Sequence, residues 1–226
     1  MSTVDTARVE FGRSLQMLRA SLVSMTSTAA QAIACATSAL VDSNLENAQH
    51  VVTLTRRLEE TYTSVERGTY QLLARQQPVA GDLRLLVSAF KITADCRRMG
   101  SLAGHVSKVA ARAYPRAAVP DELVNIFSKM GAVASRIAEG AGVTLAARDA
   151  QDAARLEVDD DAMDGLQRAL FRALVADWPH GVETAVNVAL LGRYYERFAD
   201  HAVAIAQSVV FIVTGARPEG DLPCQD

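Results

Sequence analysis

The chain has 226 residues, enough for one large domain or two small ones. Half are hydrophobic but only 5% are aromatic, so Ala, Val and Leu carry the apolar load, which suits close helix packing better than a β-sandwich. The net charge of −3 excludes the basic face of a nucleic-acid binder, and short runs such as Arg56-Arg57 and Arg97-Arg98 read as solvated helix surface.

The chain reads as six long helices separated by few breakers. The first is predicted from about Thr6 to Leu40, because Phe11, Leu15, Leu18, Leu22 and Met25 recur at steps of three or four. Ser43-Asn44-Leu45-Glu46 has the form of a capping box and opens a second helix running to about Gln76. Gln76-Gln77-Pro78-Val79-Ala80-Gly81 is the next turn, since proline cannot continue the helix. A third helix is predicted from Asp82 to about Ala113, followed by a linker from Tyr114 to Val119. Pro120-Asp121-Glu122 opens a fourth, with proline at the first helical position and acids in the first turn. It ends near Ala147. Asp149, with Asp152, caps a fifth. Trp178-Pro179-His180-Gly181 breaks the chain before a sixth, which Thr214-Gly215 closes.

The linker splits the six helices into two sets of three, so the expected fold is all-α: two tandem three-helix bundles. The first bundle spans residues 1–114, the second 120–215, and 216–226 form a loose tail. A shift of 99 residues places Leu83 on Val182, Ile92 on Leu191, Ala103 on Ala202 and Val106 on Ile205. Duplication explains this economically, although any two amphipathic helices can be slid into similar register.

Cys35, Cys96 and Cys224 are far apart, odd in number and without CxxC spacing, so neither a disulfide framework nor a zinc site is expected. A reducing cytoplasmic compartment fits, with Cys35 as a small buried apolar residue. The acidic N-terminus shows no signal peptide. The most apolar stretch, Ala202–Val213, is too short for a bilayer core of ~30 Å, so membrane association is expected only through partners.

The chemistry-bearing residues lie on helices five and six. Glu196 and Asp200 are four apart and share a helix face, as do Asp160 and Asp164. Like charges at that spacing repel, so solvent, a cation, or Arg193 and Arg197 must compensate. If helices five and six are antiparallel neighbours, the four carboxylates can converge as hard oxygen ligands for a divalent or iron ion, with His201 as an auxiliary ligand. The alternative is a solvated acidic surface beside arginines. Trp178 reads as a loop anchor. His50, His105 and His180 read as isolated, and Tyr194 and Tyr195 as packed between helices.

Tyr194-Tyr195-Glu196-Arg197-Phe198-Ala199-Asp200-His201 resembles the ER-x-x-DH signature of PhoU proteins. Asp160-Asp161-Ala162-Met163-Asp164 resembles that family's D-x-x-x-D, and Leu72 to Arg84 resembles its first inter-helix turn. The resemblance runs from Phe11 to Gly215 and is strongest to the actinobacterial branch, often called PhoY. It implies a six-helix, two-bundle negative regulator of the phosphate-starvation response. Such a regulator acts as an adaptor between a phosphate ABC transporter's ATPase subunit and a sensor histidine kinase. It also implies a metal at the acidic motifs, which match Asp160, Asp164, Glu196 and Asp200. The first bundle departs from the pattern: Arg97 and Ser101 stand where the family has acids, and helix two offers Thr55 and Glu59. A site so altered is degenerate, with Arg97 expected to pair with Glu59 and no metal expected there.

No catalytic residues are expected. The competing reading is a carboxylate-cluster metalloenzyme or metal-storage bundle, but the Glu-x-x-His pairs of ferritin-like sites are not present, nor is a P-loop. Exposed apolar length on helix six suggests a homodimer.

Overall fold

The computed structural model describes residues 3–75, 78 and 80–216. Among these the regular elements are six helices: α1 (Thr3–Val41), α2 (Leu45–Arg75), α3 (Ala80–Ala113), α4 (Asp121–Ala147), α5 (Ala150–Val175) and α6 (Gly181–Thr214). The expected architecture holds, with shifts at several helix ends. The cap of α2 is Asn44, whose Oδ1 accepts the Asn47 amide at 3.0 Å. Ser43 cannot serve there, because its φ of 51° lies in the left-handed region whereas a cap residue is extended. Pro120 sits one residue outside α4 as its N-cap, with φ −57° and ψ 147°. Asp149 caps α5 as expected, accepting the amides of Gln151 and Asp152 at 2.9 and 3.0 Å. Gly215, at φ 78°, ends α6 by donating its amide to Phe211 O. The turn assigned to Gln76–Gly81 contributes Ala80 and Gly81 to α3, and Gln76, Gln77 and Val79 lie outside the described residues. So do the tail from residue 217 onward and Cys224.

Each trio packs on itself: α2 against α1 and α3, α5 against α4 and α6. The trios join where α1 meets α4 and α3 meets α6, so four helices form a central layer flanked by α2 and α5. Both seams are antiparallel. In one, Thr26 lies over Gly142 and Thr37 over Gly131. In the other, Asp95 meets His201 and His105 stacks on Tyr194 with ring centroids 5.1 Å apart. The scarcity of aromatics now has a reason. α1 and α4 approach where Thr37 meets Gly131, Thr26 meets Gly142 and Ser135 Oγ donates to Ala30 O, and the alanines buried on these two helices are small enough to let the backbones come close. The hydroxyls of Thr26 and Thr37 turn back onto Val23 O and Ile33 O at 2.8 and 2.7 Å, so no polar group is stranded in that seam. One hydrophobic core runs through both trios. The 99-residue register is visible in it: Ile92 and Leu191, Ala103 and Ala202, and Val106 and Ile205 are all fully buried, while Leu83 and Val182 are both exposed.

Two expectations need correction. α6 is 34 residues long and, by length and composition, apolar enough to cross a membrane, so shortness is not what distinguishes it. Half of its most apolar stretch is buried within the protein, against α3, α4 and α5, as in a core helix. Cys35 is only half-buried, packed at the margin of the core, whereas Cys96 is enclosed and burial pushes its thiol pKa up.

Candidate functional site

α5 and α6 run antiparallel in contact, with Gln207 Nε2 donating to Glu157 Oε1 at 2.9 Å near one end. That register brings Asp160 and Asp164 alongside Glu196 and Asp200. Phe198, on the face of α6 opposite Glu196 and Asp200, and Met163, about 60° and 100° around α5 from Asp160 and Asp164, are fully buried and anchor both helices in the core. The acids themselves lie on the surface between the two helices: Asp164 and Asp200 are exposed, while Asp160 and Glu196 are half-buried. They converge along an outer groove, not inward as a buried centre.

The electrostatics follow from that crowding. Burial, then the charges of Asp200, Asp164 and Asp161, raise Asp160 to about 6. Burial and Asp200 also raise Glu196, opposed by Arg193, whose Nη1 donates to Glu196 Oε1. Asp200 is raised by burial and Asp164 against the pull of Arg193, His201 and Arg197. Arg168 stands 3.9 Å from Asp164. Two oxygens, Asp160 Oδ1 and Glu196 Oε2, are buried and accept no hydrogen bond from the protein. An unpaired buried carboxylate oxygen is costly unless a cation approaches it. The donor chemistry therefore fits a hard cation, although among the described residues no three such side chains are already gathered as a ligand set.

A pH dependence follows. Because Asp160 is held above its ordinary value of 3.8, the native state binds more protons than the unfolded chain between about pH 4 and 6. The penalty is fully present above about 6 and absent below about 4. Chelator-treated protein is expected to melt at a higher temperature at pH 5 than at pH 7. Asp160→Asn should raise the melting temperature at pH 7 and flatten the slope; a melting temperature that instead falls steadily from pH 7 to pH 5 would contradict the crowding.

The equivalent place in the first trio carries no such cluster. Arg97 Nε donates to Glu59 Oε1 at 2.9 Å, the pairing expected from sequence. The Arg97 guanidinium also lies 4.9 Å from the centre of the Tyr62 ring, and Glu59 raises its already high pKa further. Ser101 Oγ donates back to Arg97 O at 3.2 Å, and Thr55 Oγ1 to Val51 O at 2.9 Å. The hydroxyls that replace acids are thus bonded back to their own helices, and Thr55 Oγ1 also reaches Gly100 O on α3 at 3.5 Å.

His201 does not join the α5 carboxylates. One residue beyond Asp200 it is rotated about 100° around the helix, and its Nδ1 lies 3.0 Å from Asp95 Oδ1 on α3. Asp95 was not singled out from sequence, and its spacing from His201 offers no local signal. The remaining histidines are engaged where their contacts are seen: His105 on Tyr194, and His180 on Glu122. Trp178 does anchor its loop, donating Nε1–H to Gly181 O at 2.8 Å. Tyr195 is enclosed between helices, its hydroxyl 2.9 Å from Thr37 Oγ1 on α1.

The PhoU domain family matches this chain twice, over residues 22–110 and 127–209, once in each trio. The "Phosphate-specific transport system accessory protein PhoU homolog 1" of Mycobacterium leprae is 43% identical over 215 residues, covering 95% of this chain and 97% of that one. The corresponding PhoU homolog 2 of Mycobacterium tuberculosis is 42% identical over 212 residues, covering 93% and 100%. The crystal structure of PhoU from Pseudomonas aeruginosa superposes with a TM-score of 0.82 at 26% identity, over 91% of this chain and all of that one. With the fold, the doubled match and relatives this similar in agreement, the chain belongs to the PhoU family.

Proposed function

We propose that this protein is a regulatory accessory of a phosphate transport system that keeps the phosphate-starvation response off when phosphate is plentiful. The observation that carries the reading is the near full-length similarity to relatives named as phosphate-specific transport system accessory proteins. In the finer form of this reading the protein is a cytoplasmic, homodimeric adaptor in a two-component system. It docks on the transporter's ATPase subunit and on a sensor histidine kinase. It reaches the membrane only through them, and it turns over no substrate. Long packed helices with one continuous core make a stiff surface, and such a surface biases a partner's equilibrium by its differential affinity for the partner's two states. Deleting the gene, together with any paralogue, is expected to leave a phosphate-starvation reporter high in phosphate-rich medium. A reporter that stays low would overturn the proposal.

The carboxylates of α5 and α6 belong to the same reading. Asp160, Asp164, Glu196 and Asp200 would hold a divalent or iron ion, with the two orphaned oxygens of Asp160 and Glu196 turned toward it. Such a cation would neutralise the crowded charge and clamp α5 to α6. Metal analysis of the purified chain is expected to find binding confined to this one site. Uptake should be lost in Asp160→Asn with Glu196→Gln and unchanged in Arg97→Ala. Stoichiometric metal that survives the double substitution would remove the site from these residues. Dioxygen consumption by the iron-loaded protein would favour the metalloenzyme reading instead.

A further inference from the structure

In each trio an arginine bonds to a carboxylate in the groove between the second and third helices, and the two bonds differ in kind. In the first trio Arg97 on α3 reaches Glu59 on α2, so the pair joins two helices. In the second, Arg193 Nη1 donates to Glu196 Oε1, three residues along the same helix. That pair satisfies one carboxylate oxygen but does not tie α6 to α5. Across the groove, Asp160 Oδ1 is buried and accepts no hydrogen bond from the protein, and neither does the second oxygen of Glu196.

The duplicated helices provide an internal control. In the 99-residue register of α3 on α6, Glu196 corresponds to Arg97 and Asp200 to Ser101, while Arg197 corresponds to Arg98 and Arg193 to Ala94. The arginine at 98 and 197 is present in both trios, whether or not the acids are. The position of Arg193 is uncharged in the trio whose acids are replaced. Its charge answers theirs: burial raises Glu196 and Asp200, and Arg193 is the largest charge opposing that rise in each. Its side chain is 55% exposed, against 15% for Glu196, so the guanidinium is the member of the pair that can swing into solvent without opening the core.

A tethered group competes for its site at an effective concentration on the order of millimolar. A monovalent ion that replaces the guanidinium exchanges one unit charge for another. A divalent ion adds a charge and takes oxygens from both helices at once, including those the guanidinium leaves bare. We propose that Arg193 is a displaceable internal counter-ion that sets the affinity and charge selectivity of the α5–α6 groove, and that a divalent cation binds there by expelling it from Glu196. The proposal rests on the reading of this groove as a cation site. Expulsion exchanges a bond within α6 for a bridge between α5 and α6, so the hairpin is clamped only above a threshold concentration of the ion. It also leaves a free guanidinium on the surface beside the groove.

Calorimetric titration of Mn2+ into the chelator-treated full chain tests this. Arg193→Ala, at an exposed position, is expected to bind Mn2+ about tenfold more tightly than the wild type. Arg197→Ala removes the same charge from a side chain that acts on Asp200 through its field, and serves as the control. In about 1 M salt, where the screening length falls to about 3 Å, the effect of Arg197→Ala should vanish and that of Arg193→Ala should persist. Phenylglyoxal labelling, located by mass spectrometry, reads the expulsion directly: Mn2+ should raise the labelling of Arg193 several-fold and leave that of Arg97 unchanged. Equal affinities of the wild type and Arg193→Ala, a gain that disappears in salt, or labelling of Arg193 indifferent to Mn2+ would each overturn the proposal. Wild-type uptake that is lost in Asp160→Asn with Glu196→Gln would still keep the cation site in those cases. A chain that takes up no Mn2+ in either form would remove the site and the proposal together.

Discussion

Replacing Tyr195 with Ala is expected to cost about 3–5 kcal/mol of folding stability, the range for removing a large enclosed aromatic ring. Tyr195 is fully buried, and its ring centre lies 5.9 Å from that of Phe127 on α4. Thr37 already gives its proton to Ile33 O at 2.7 Å, so the Tyr195 hydroxyl is the donor in the 2.9 Å bond to Thr37. Burial accordingly pushes the phenol's pKa up. One side chain thus ties α6 to α1 and α4, where the two trios meet. Its loss leaves a cavity the surrounding Ala-rich helices cannot close without shifting. Tyr195→Phe removes only the hydroxyl and should cost about 0.5–1.5 kcal/mol, because Thr37 keeps its own bond. Urea denaturation of both variants measures the difference. A loss below about 1 kcal/mol for the alanine variant would mean that the trios do not depend on this contact. Glu196 is the next residue, so cation uptake is expected to weaken in Tyr195→Ala along with stability.

Gly131→Ala is the second large effect, and its sign depends on one neighbour. In a helix interior Ala is favoured over Gly by about 1 kcal/mol. Here a Cβ on Gly131 would stand 2.8 Å from the Cβ of Thr37, an atom fixed to the α1 backbone, with the Thr37 hydroxyl and methyl nearer still. The steric cost wins, and a net loss of about 1–3 kcal/mol is expected. In a Thr37→Gly background the same substitution should become neutral or stabilising, because the obstructing Cβ is gone. The thermodynamic cycle of the four proteins measures that coupling. Additive effects would show that α1 and α4 are free to separate at this point.

These two predictions also mark the boundary between local and tertiary information. The number of helices, their approximate ends and the division into trios were legible in the sequence. Each rests on local physics: the spacing of Leu15, Leu18, Leu22 and Met25, the oxygen of Asp149, the freedom of Gly215. The cap of α2 was misread by one residue, because the left-handed φ of Ser43 is imposed by the tight α1–α2 turn and has no signature in Ser-Asn-Leu-Glu.

The candidate site divides the same way. That Asp160 pairs with Asp164, and Glu196 with Asp200, follows from a spacing of four on a helix. That Arg97 replaces an acid and reaches Glu59 was also readable, since opposite charges at matching positions of adjacent helices attract. Whether the four carboxylates sit in the core or on its rim was decided by the rotation of α5 and α6. That rotation is set by Met163 and Phe198 filling the core, so the acids were left on an outer groove. The ties between trios, Asp95 to His201, Thr37 to Tyr195 and His105 to Tyr194, join residues more than eighty positions apart. No periodicity along one helix can encode them. Local sequence determined the helices and which faces are apolar; only the packing of one trio on the other determined which polar residues meet, because that depends on how closely the small residues of α1 and α4 let the backbones approach.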